Sequence, residues 1–552
     1  MIKPIPPGFI FLLGAFLIPL FRGGLKKAYL LLVPVIAFID ILQLKHGTSW
    51  VYHFLNYNLI LLKVDRLSLV VAYIFVIIAF LGLLYALHVE DDGQHIAAFL
   101  YVGSSLGVVF SGDFFSLYAF WEIMAVASVF LIWYRRDKQA LDAGFRYIIM
   151  HLLGGCCLLA GIAIHVANTG SLDVGQIERG LAWLLILIGF GLNTAFIFIH
   201  TWLPDAYPEG TITGSVFMCV YTTKTGVYVL ARCFAGTELV AYMGGIMAVY
   251  GVIFALMQND VRRLLSYHII SQVGYMVAGV GIGTELAVNG GIAHVFNHIL
   301  YKGLLFMCMG SVIYMTGKRK LTQLGGLAKY MPITCITCII ASLSIAGAPG
   351  FNGFVSKGMV MLAAAEEHMT ILYLLLLLGA VGTFLSFVKL CYFAFFAPNE
   401  EIETKEAPIN MQLAMILTAF LCVFIGVYPK VLFHVLPYYP LHYHAFAPAH
   451  VIGIIQLFML SGLVFMLFKE HFAPHEGIVL DFDYFYRMAG RGLVKFCFFL
   501  NDVRTAIQAG MSDLVTSIIA LSKKPLPVPR PIGIGVIFVL ALFTISFFIS
   551  AG

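Results

Sequence analysis

The sequence predicts an all-α polytopic membrane protein, and three observations predict it. Of 552 residues, 61% are hydrophobic and only 11% are charged, where a soluble protein carries about 25% charged residues. The apolar residues fall in roughly sixteen segments, each close to the about 20 residues that cross a bilayer as a helix. Nearly every Lys and Arg lies in the short loops between those segments.

The segments begin near Gly8, Ala28 and Leu67, then near Ile96, Phe114, Phe145, Leu181 and Thr211. They continue near Leu239, Leu265, Ile292, Ile333 and Met369, and end with Met411, Val451 and Pro531. The first, Gly8–Phe21, lacks a basic leading region and a cleavage site, so a retained helix is expected rather than a signal peptide. Two segments are interrupted. NTAFIFIHTWLPDAYPEGTITGSVF carries Pro204, Pro208 and Gly210, and SLSIAGAPGFNGFVSK carries Gly347, Pro349, Gly350 and Gly353. Exposed backbone at membrane depth is tolerated only where protein or water satisfies it. Paired breaks in corresponding halves point to a transport site. The longest polar stretch, Lys469–Arg530, places Arg487, Arg491 and Lys495 on one stripe opposite apolar residues. That pattern suits a helix lying on the cytoplasmic membrane face and attracted to anionic lipids; a solvated linker helix is the alternative.

The net charge of +5 calls for no nucleic-acid partner. It follows from the bias of cytoplasmic loops towards Lys and Arg. Alternate loops split clearly, with Arg135, Arg136, Lys138, Arg262, Arg263 and Lys318–Lys320 on the richer side. That side is expected to be cytoplasmic in a cell (inner) membrane. With an even number of spans, both termini then face outside.

Five charges break the pattern by lying inside apolar segments. A charge at the bilayer centre costs roughly 2.5–3.5 kcal/mol on insertion scales, so those retained point to proton or ion movement. Glu122 stands in FFSLYAFWEIMAVASVFLIWY, flanked by apolar residues on both sides. Burial and neighbouring charge adjust how tightly such a carboxyl holds its proton; a static carboxylate is the alternative. Lys224 and Lys357 lie at mid-segment, the latter beside the second break. His294, His298 and Lys302 are spaced four apart and share one helix face. Such a stripe suits a proton relay through water, since histidine changes charge near neutral pH. Static hydrogen bonding or a metal site also uses this spacing, but no third metal ligand is evident. Lys389 lies close to a loop, where snorkelling to the interface and function fit equally.

The composition excludes several classes. The ten cysteines lie mostly inside apolar segments, and the Cys335–Cys338 CxxC has no second pair or His at zinc spacing. No metal site is therefore expected. No Rossmann fingerprint, P-loop or haem-attachment motif stands out, so no cofactor is expected. A stand-alone solute transporter would need a roomy polar pocket, and a quinone-reactive redox subunit would need haem or cluster ligands.

Six motifs occur in order: VDRLS (64–68), FWE (120–122), HTWLPDAYPE (200–209), DVRRLLSYHIISQVGY (260–275), HVFNHILYKGLLF (294–306) and GFVSK (353–357). Together they resemble the antiporter-like membrane subunits of respiratory complex I, membrane-bound hydrogenases and multisubunit Mrp-type cation/proton antiporters. The resemblance runs from about Val64 to Pro398, and TTKTGVYVLAR looks most like the D-type subunits of antiporter and hydrogenase-related complexes. It implies a core of about fourteen helices with two inverted five-helix repeats. The expected divisions are 1–94, first repeat 95–235, second repeat 236–397, further spans 398–468, a cytoplasmic-side amphipathic segment 469–530 and a last span 531–552.

The resemblance gives Glu122 the glutamate role, Lys224 the central lysine, His294, His298 and Lys302 the connecting row, and Lys357 the terminal lysine. His200 and Asp205 fall in its HTWLPDA motif. The family's lysine partner for Glu122 is replaced by Asn193, so Lys224 takes both roles or this half-channel is altered. Arg262 replaces a lysine and cannot deprotonate, Tyr207 replaces a common His, and His268 adds a titrating group. The implied function is translocation of protons, or of sodium in exchange for protons, beside other membrane subunits. The energy source then lies elsewhere, and the chain alone is no enzyme in the chemical sense. Coupling to inorganic-carbon uptake is an alternative that some relatives serve.

Overall fold

The long helices of the central region begin at aspartates or threonines, and this capping sets the register of the fold. A computed structural model describes residues 5–47, 49–55, 57–399, 402–477, 479–522 and 538–542. Helices α1 (Pro7–Leu17) and α2 (Gly23–Gln43) lead to a two-stranded antiparallel hairpin, β1 (Ser49–Phe54) and β2 (Tyr57–Lys63). The hairpin is an addition to the all-α expectation. Its run of Val, Tyr, Phe, Leu and Ile favours extended backbone.

Then follow α3 (Arg66–Tyr85), α4 (Asp92–Phe110), α5 (Phe114–Trp133) and α6 (Lys138–Thr169). The side chains of Asp65, Asp91, Asp113 and Asp137 accept the first backbone N–H groups of these four helices, satisfying donors that a helix start leaves open. Caps carry helices into polar residues that the apolar pattern leaves out, so α6 starts at Lys138 rather than near Phe145. The first interrupted segment becomes α7 (Leu181–Asn193), α8 (Trp202–Ala206), α9 (Ile212–Met218) and α10 (Thr222–Cys233).

The second half comprises α11 (Glu238–Leu256), α12 (Val261–Ile282), α13 (Glu285–Thr316), α14 (Pro332–Ala346), α15 (Asn352–Glu366) and α16 (Thr370–Cys391). It repeats the local marks of the first. Helices α6 and α13 each have 32 residues, and both their starts and their ends lie 147 positions apart (285 less 138, 316 less 169). Both stop at a glycine in the left-handed region, Gly170 and Gly317, where φ near +70° is open to glycine without a Cβ clash. The capping aspartates Asp113 and Asp260 keep the same offset, and each forms an isolated bridge, to Asp173 and Lys320.

After α16 come α17 (Ile409–Val427), α18 (Lys430–Val435), α19 (Pro448–Leu467) and α20 (Lys469–Phe472). Helix α13 is the hub, packing against α3, α9, α12, α14, α15 and α17. The interior holds many Ser, Thr, His and Lys side chains, whereas Phe16, Ile371, Phe420 and Leu463 stand exposed on outer faces. Lipid is as apolar as these side chains, so the outer surface need not be polar. Among the described residues nine helices are long and apolar enough to cross a membrane. Other segments read from the sequence are built as half-helices too short to span singly, such as α7 and α14.

Leu480–Gly552 form a second compact unit. It is carried by α21 (Asp483–Ser522), where Arg487 pairs with Asp483 at 2.9 Å. Of the expected last span, only Phe538–Leu542, which are helical, lie within the described residues.

Candidate functional site

Helix α13 presents its titratable stripe to the protein interior. His294, His298 and Lys302 are each 0% exposed. His294 is anchored: Nδ1 shares a hydrogen bond with Ser356 Oγ (2.9 Å), and Nε2 lies 3.3 Å from Gln272 Oε1 and 3.2 Å from the Tyr301 hydroxyl. His298 is not anchored, since neither ring nitrogen has a hydrogen-bond partner among the described residues. Lys302 Nζ is likewise unpartnered and sits 5.9 and 5.7 Å from the ring centres of Phe306 and Phe387. Lys357 lies towards the His294 end, since the Tyr275 ring is 5.7 Å from that of His294 and 4.9 Å from Lys357 Nζ. Lys224 is an electrostatic neighbour of all three members of the stripe. His294 and His298 thus lie within electrostatic reach of lysines of both halves, Lys224 and Lys357.

The buried lysines beside chain breaks share one solution. Lys224 Nζ donates to Cys219 O (2.6 Å), just past the end of α9, and to Thr223 Oγ1 (3.0 Å). Lys357 Nζ donates to Ile345 O (2.7 Å) in the last turn of α14. Carbonyls at a helix C-terminus lack intrahelical donors and carry the negative end of the helix dipole. The break that frames Lys224 falls at Cys219–Tyr221, where no Gly or Pro announces it. Lys389 is 2% exposed and donates to Leu256 O (2.6 Å) and Gln258 O (3.2 Å) at the end of α11, so it does not snorkel. None of these lysines has a carboxylate partner among the described residues.

Glu122 is not joined to Lys224 by a hydrogen bond or ion pair among the described residues. Its Oε1 is buried against Gly155 of α6 without a hydrogen-bond partner. The rest of the side chain borders an apolar groove of about 500 Å³ between α4 and α5, lined by Ile96, Leu100 and Val126. Asn193 ends α7 with both amide atoms unpartnered among the described residues. Beside it lies a polar cluster that sequence reasoning misses: His151, Tyr147, Tyr101, Tyr207 and Thr222, all buried. The 147-residue spacing of the two long helices is the signal that could have found it.

The remaining motif residues hold loops. Arg262 Nη1 donates to Gly210 O (2.8 Å) and Pro208 O (3.3 Å), fixing backbone beside the first interruption. Asp205 accepts from Arg146 (2.7 and 3.0 Å). The His200 ring lies 4.9 Å from that of Tyr250. His268, fully buried, lies 4.6 Å from Phe387 with the rings tilted by 45° and neither nitrogen bonded among the described residues. Among the described residues no three His, Cys, Asp or Glu side chains converge to hold a metal.

At the loop ends Glu209 pairs with Arg135 (2.5 Å) and Arg319 (2.8 Å), and Arg319 also pairs with Asp260. Burial raises the Glu209 carboxyl's hold on its proton, but Arg319 and Arg135 outweigh it and keep the carboxyl below its usual range. A carboxylate so depressed contributes its stability fully above its unfolded value, about 4.3. It loses that stability as pH falls through the lower folded value. Glu209→Gln should therefore cost about 1–3 kcal/mol at pH 7, between an exposed and a fully buried pair, since Arg135 and Arg319 remain partly exposed. The gap to the parent should close in acid. Thermal unfolding in detergent at pH 7 and near pH 2 checks this; an equal loss at both would refute it.

Residues 111–386 match the family model described as NADH:quinone oxidoreductase/Mrp antiporter, transmembrane. An uncharacterised protein of Methanocaldococcus jannaschii is 31% identical over 352 residues, 59% of this chain and 73% of that one. The A-type subunit of the Na(+)/H(+) antiporter of Alkalihalophilus pseudofirmus is 28% identical over 73% of this chain. The chain spans 58% of that protein's length. The fold matches a chain of an archaeal membrane-bound sulfane sulfur reductase complex with TM-score 0.74 and 24% identity, over 98% of this chain and 99% of that one. It also matches a chain of the Mrp complex from Dietzia sp. with TM-score 0.67 and 18% identity, over 83% and 94% of the two chains.

Proposed function

Because the chain belongs to the NADH:quinone oxidoreductase/Mrp antiporter transmembrane family, we propose that it is an antiporter-like, ion-translocating subunit of a multisubunit membrane complex. It moves protons, or sodium in exchange for protons, and draws its energy from neighbouring subunits or an existing gradient. One observation carries this reading: the titratable side chains Lys224, Lys302, His298, His294 and Lys357 are all buried in the interior, with His294 held by Ser356. Titratable side chains that far from carboxylates and from the outer surface are costly to keep. Here Lys224 and Lys357 meet the ends of half-helices, the arrangement by which transporters hold ions at mid-membrane.

The test uses the purified complex in proteoliposomes. A potassium diffusion potential set with valinomycin drives protons, and a trapped dye reads the internal pH, with and without sodium outside. Lys224→Ala and Lys357→Ala should each lower proton flux roughly tenfold or more while the complex still assembles. Wild-type flux from both variants would overturn the proposal. Sodium dependence of the flux distinguishes exchange from proton transport alone.

The basic loops at Arg135–Lys138 and Lys318–Lys320 face the cytoplasm in this proposal, on the charge asymmetry. A cysteine in place of Lys318 should be labelled by an impermeant maleimide in inverted vesicles and spared in intact cells. Labelling from outside the intact cell would reverse the orientation.

A further inference from the structure

The first half of the protein contains a histidine in the position that His298 occupies in the second. The offset of 147 residues that superimposes the ends of α6 and α13 carries His151 onto His298, Tyr147 onto His294 and Gly155 onto Lys302. His151 is 2% exposed, and its Nε2 has no hydrogen-bond partner among the described residues. Its ring packs 4.2 Å from Tyr147 and 4.6 Å from Trp202. The Asn193 amide is its polar neighbour, though neither amide atom meets hydrogen-bond geometry. Static packing does not call for an imidazole here, because a buried polar atom left unbonded costs about 1–3 kcal/mol.

The surroundings lead in both directions. One turn beyond His151 on the same face, Gly155 leaves the space that the Glu122 Oε1 atom occupies, about 6 Å along the axis. One turn back, the Tyr147 hydroxyl is bonded to Ser128 (2.7 Å) and neighbours Thr222. Thr222 is bonded to Tyr101 (2.6 Å), and Thr223, the next residue, accepts from Lys224 Nζ. Glu122 and Lys224 share no hydrogen bond or ion pair among the described residues, and Asn193 cannot ionise. His151 is a titratable group between Gly155, against which Glu122 packs, and Tyr147.

We infer that His151 is a proton-carrying residue of the first half, passing protons between Glu122 and Lys224 by way of Tyr147 and the Thr222–Thr223 hydroxyls. The step is a proton hop: one ring nitrogen takes up a proton, a proton leaves the ring towards the next group, and the imidazole returns to its starting charge. The inference rests on the ion-translocating function proposed above.

The experiment is the same proteoliposome assay with the whole complex. His151→Gln should lower proton flux roughly tenfold or more. Adding Asn193→Lys to it returns a protonatable group to the same pocket and should restore flux to within a few-fold of the parent. His298→Gln serves as the reference. If His298→Gln stops flux and His151→Gln does not, the inference falls and the function stands. If neither variant loses flux, the function falls as well. Should His151→Gln fail to assemble, the Asn193→Lys double variant and His151→Lys decide. Flux from either titratable replacement supports the assignment, and its absence from both overturns it.

Discussion

His298→Gln should stop proton flux while leaving the fold as stable as the parent. The two effects separate because of how the stripe is held. His298 makes no hydrogen bond among the described residues; its ring lies 5.2 Å from Tyr301 and 6.3 Å from His294. Removing the imidazole therefore breaks no bond, and the glutamine amide only exchanges one unbonded buried polar group for another. Yet successive members of the stripe stand about 6 Å apart along the axis. Losing the middle one opens a gap of about 12 Å, too long for one or two waters to bridge. His294 offers the contrast. His294→Gln gives up contacts to Ser356, Gln272 and Tyr301 and should cost about 1–3 kcal/mol as well as flux. Thermal unfolding and flux measured on the same preparations check both. Flux retained by His298→Gln would remove the stripe from the pathway.

Gly353→Ala should destabilise the protein by more than about 3 kcal/mol, above the usual cost of overpacking. A Cβ on Gly353 would stand 1.8 Å from Ser344 O and 2.9 Å from Ser344 C. Both are backbone atoms of the facing half-helix and cannot rotate away. The substitution must push α15 from α14, and Lys357, one turn on, would then lose Ile345 O. Gly453→Ala in α19 is the control. Nothing lies within 4 Å of its Cβ, and alanine in a helix interior gains roughly 0.5–1 kcal/mol over glycine. Yield and unfolding temperature of the two variants in detergent give the comparison. Equal behaviour would show that the break yields at little cost.

The sequence by itself determined the membrane character, the interrupted segments and the positions of the intramembrane charges. It could do so because lipid imposes one simple cost. Each Lys, His or Glu inside a long apolar run stands out without any knowledge of its neighbours, and helix spacing alone puts His294, His298 and Lys302 on one face. What the tertiary structure decided is how those groups are held and what they connect. The carbonyls that receive Lys224, Lys357 and Lys389 belong to helix ends whose exposure no local pattern states, and the Cys219–Tyr221 break carries neither Gly nor Pro. Lys389, near a loop in sequence, is turned inward by the end of α11, 133 positions away. His151 went unremarked because, in a helix with an exposed apolar face, a single His reads as one polar residue among several. Its meaning comes from Asn193, Trp202 and the matching helix 147 positions later, and contacts between such distant residues are fixed only when the helices pack.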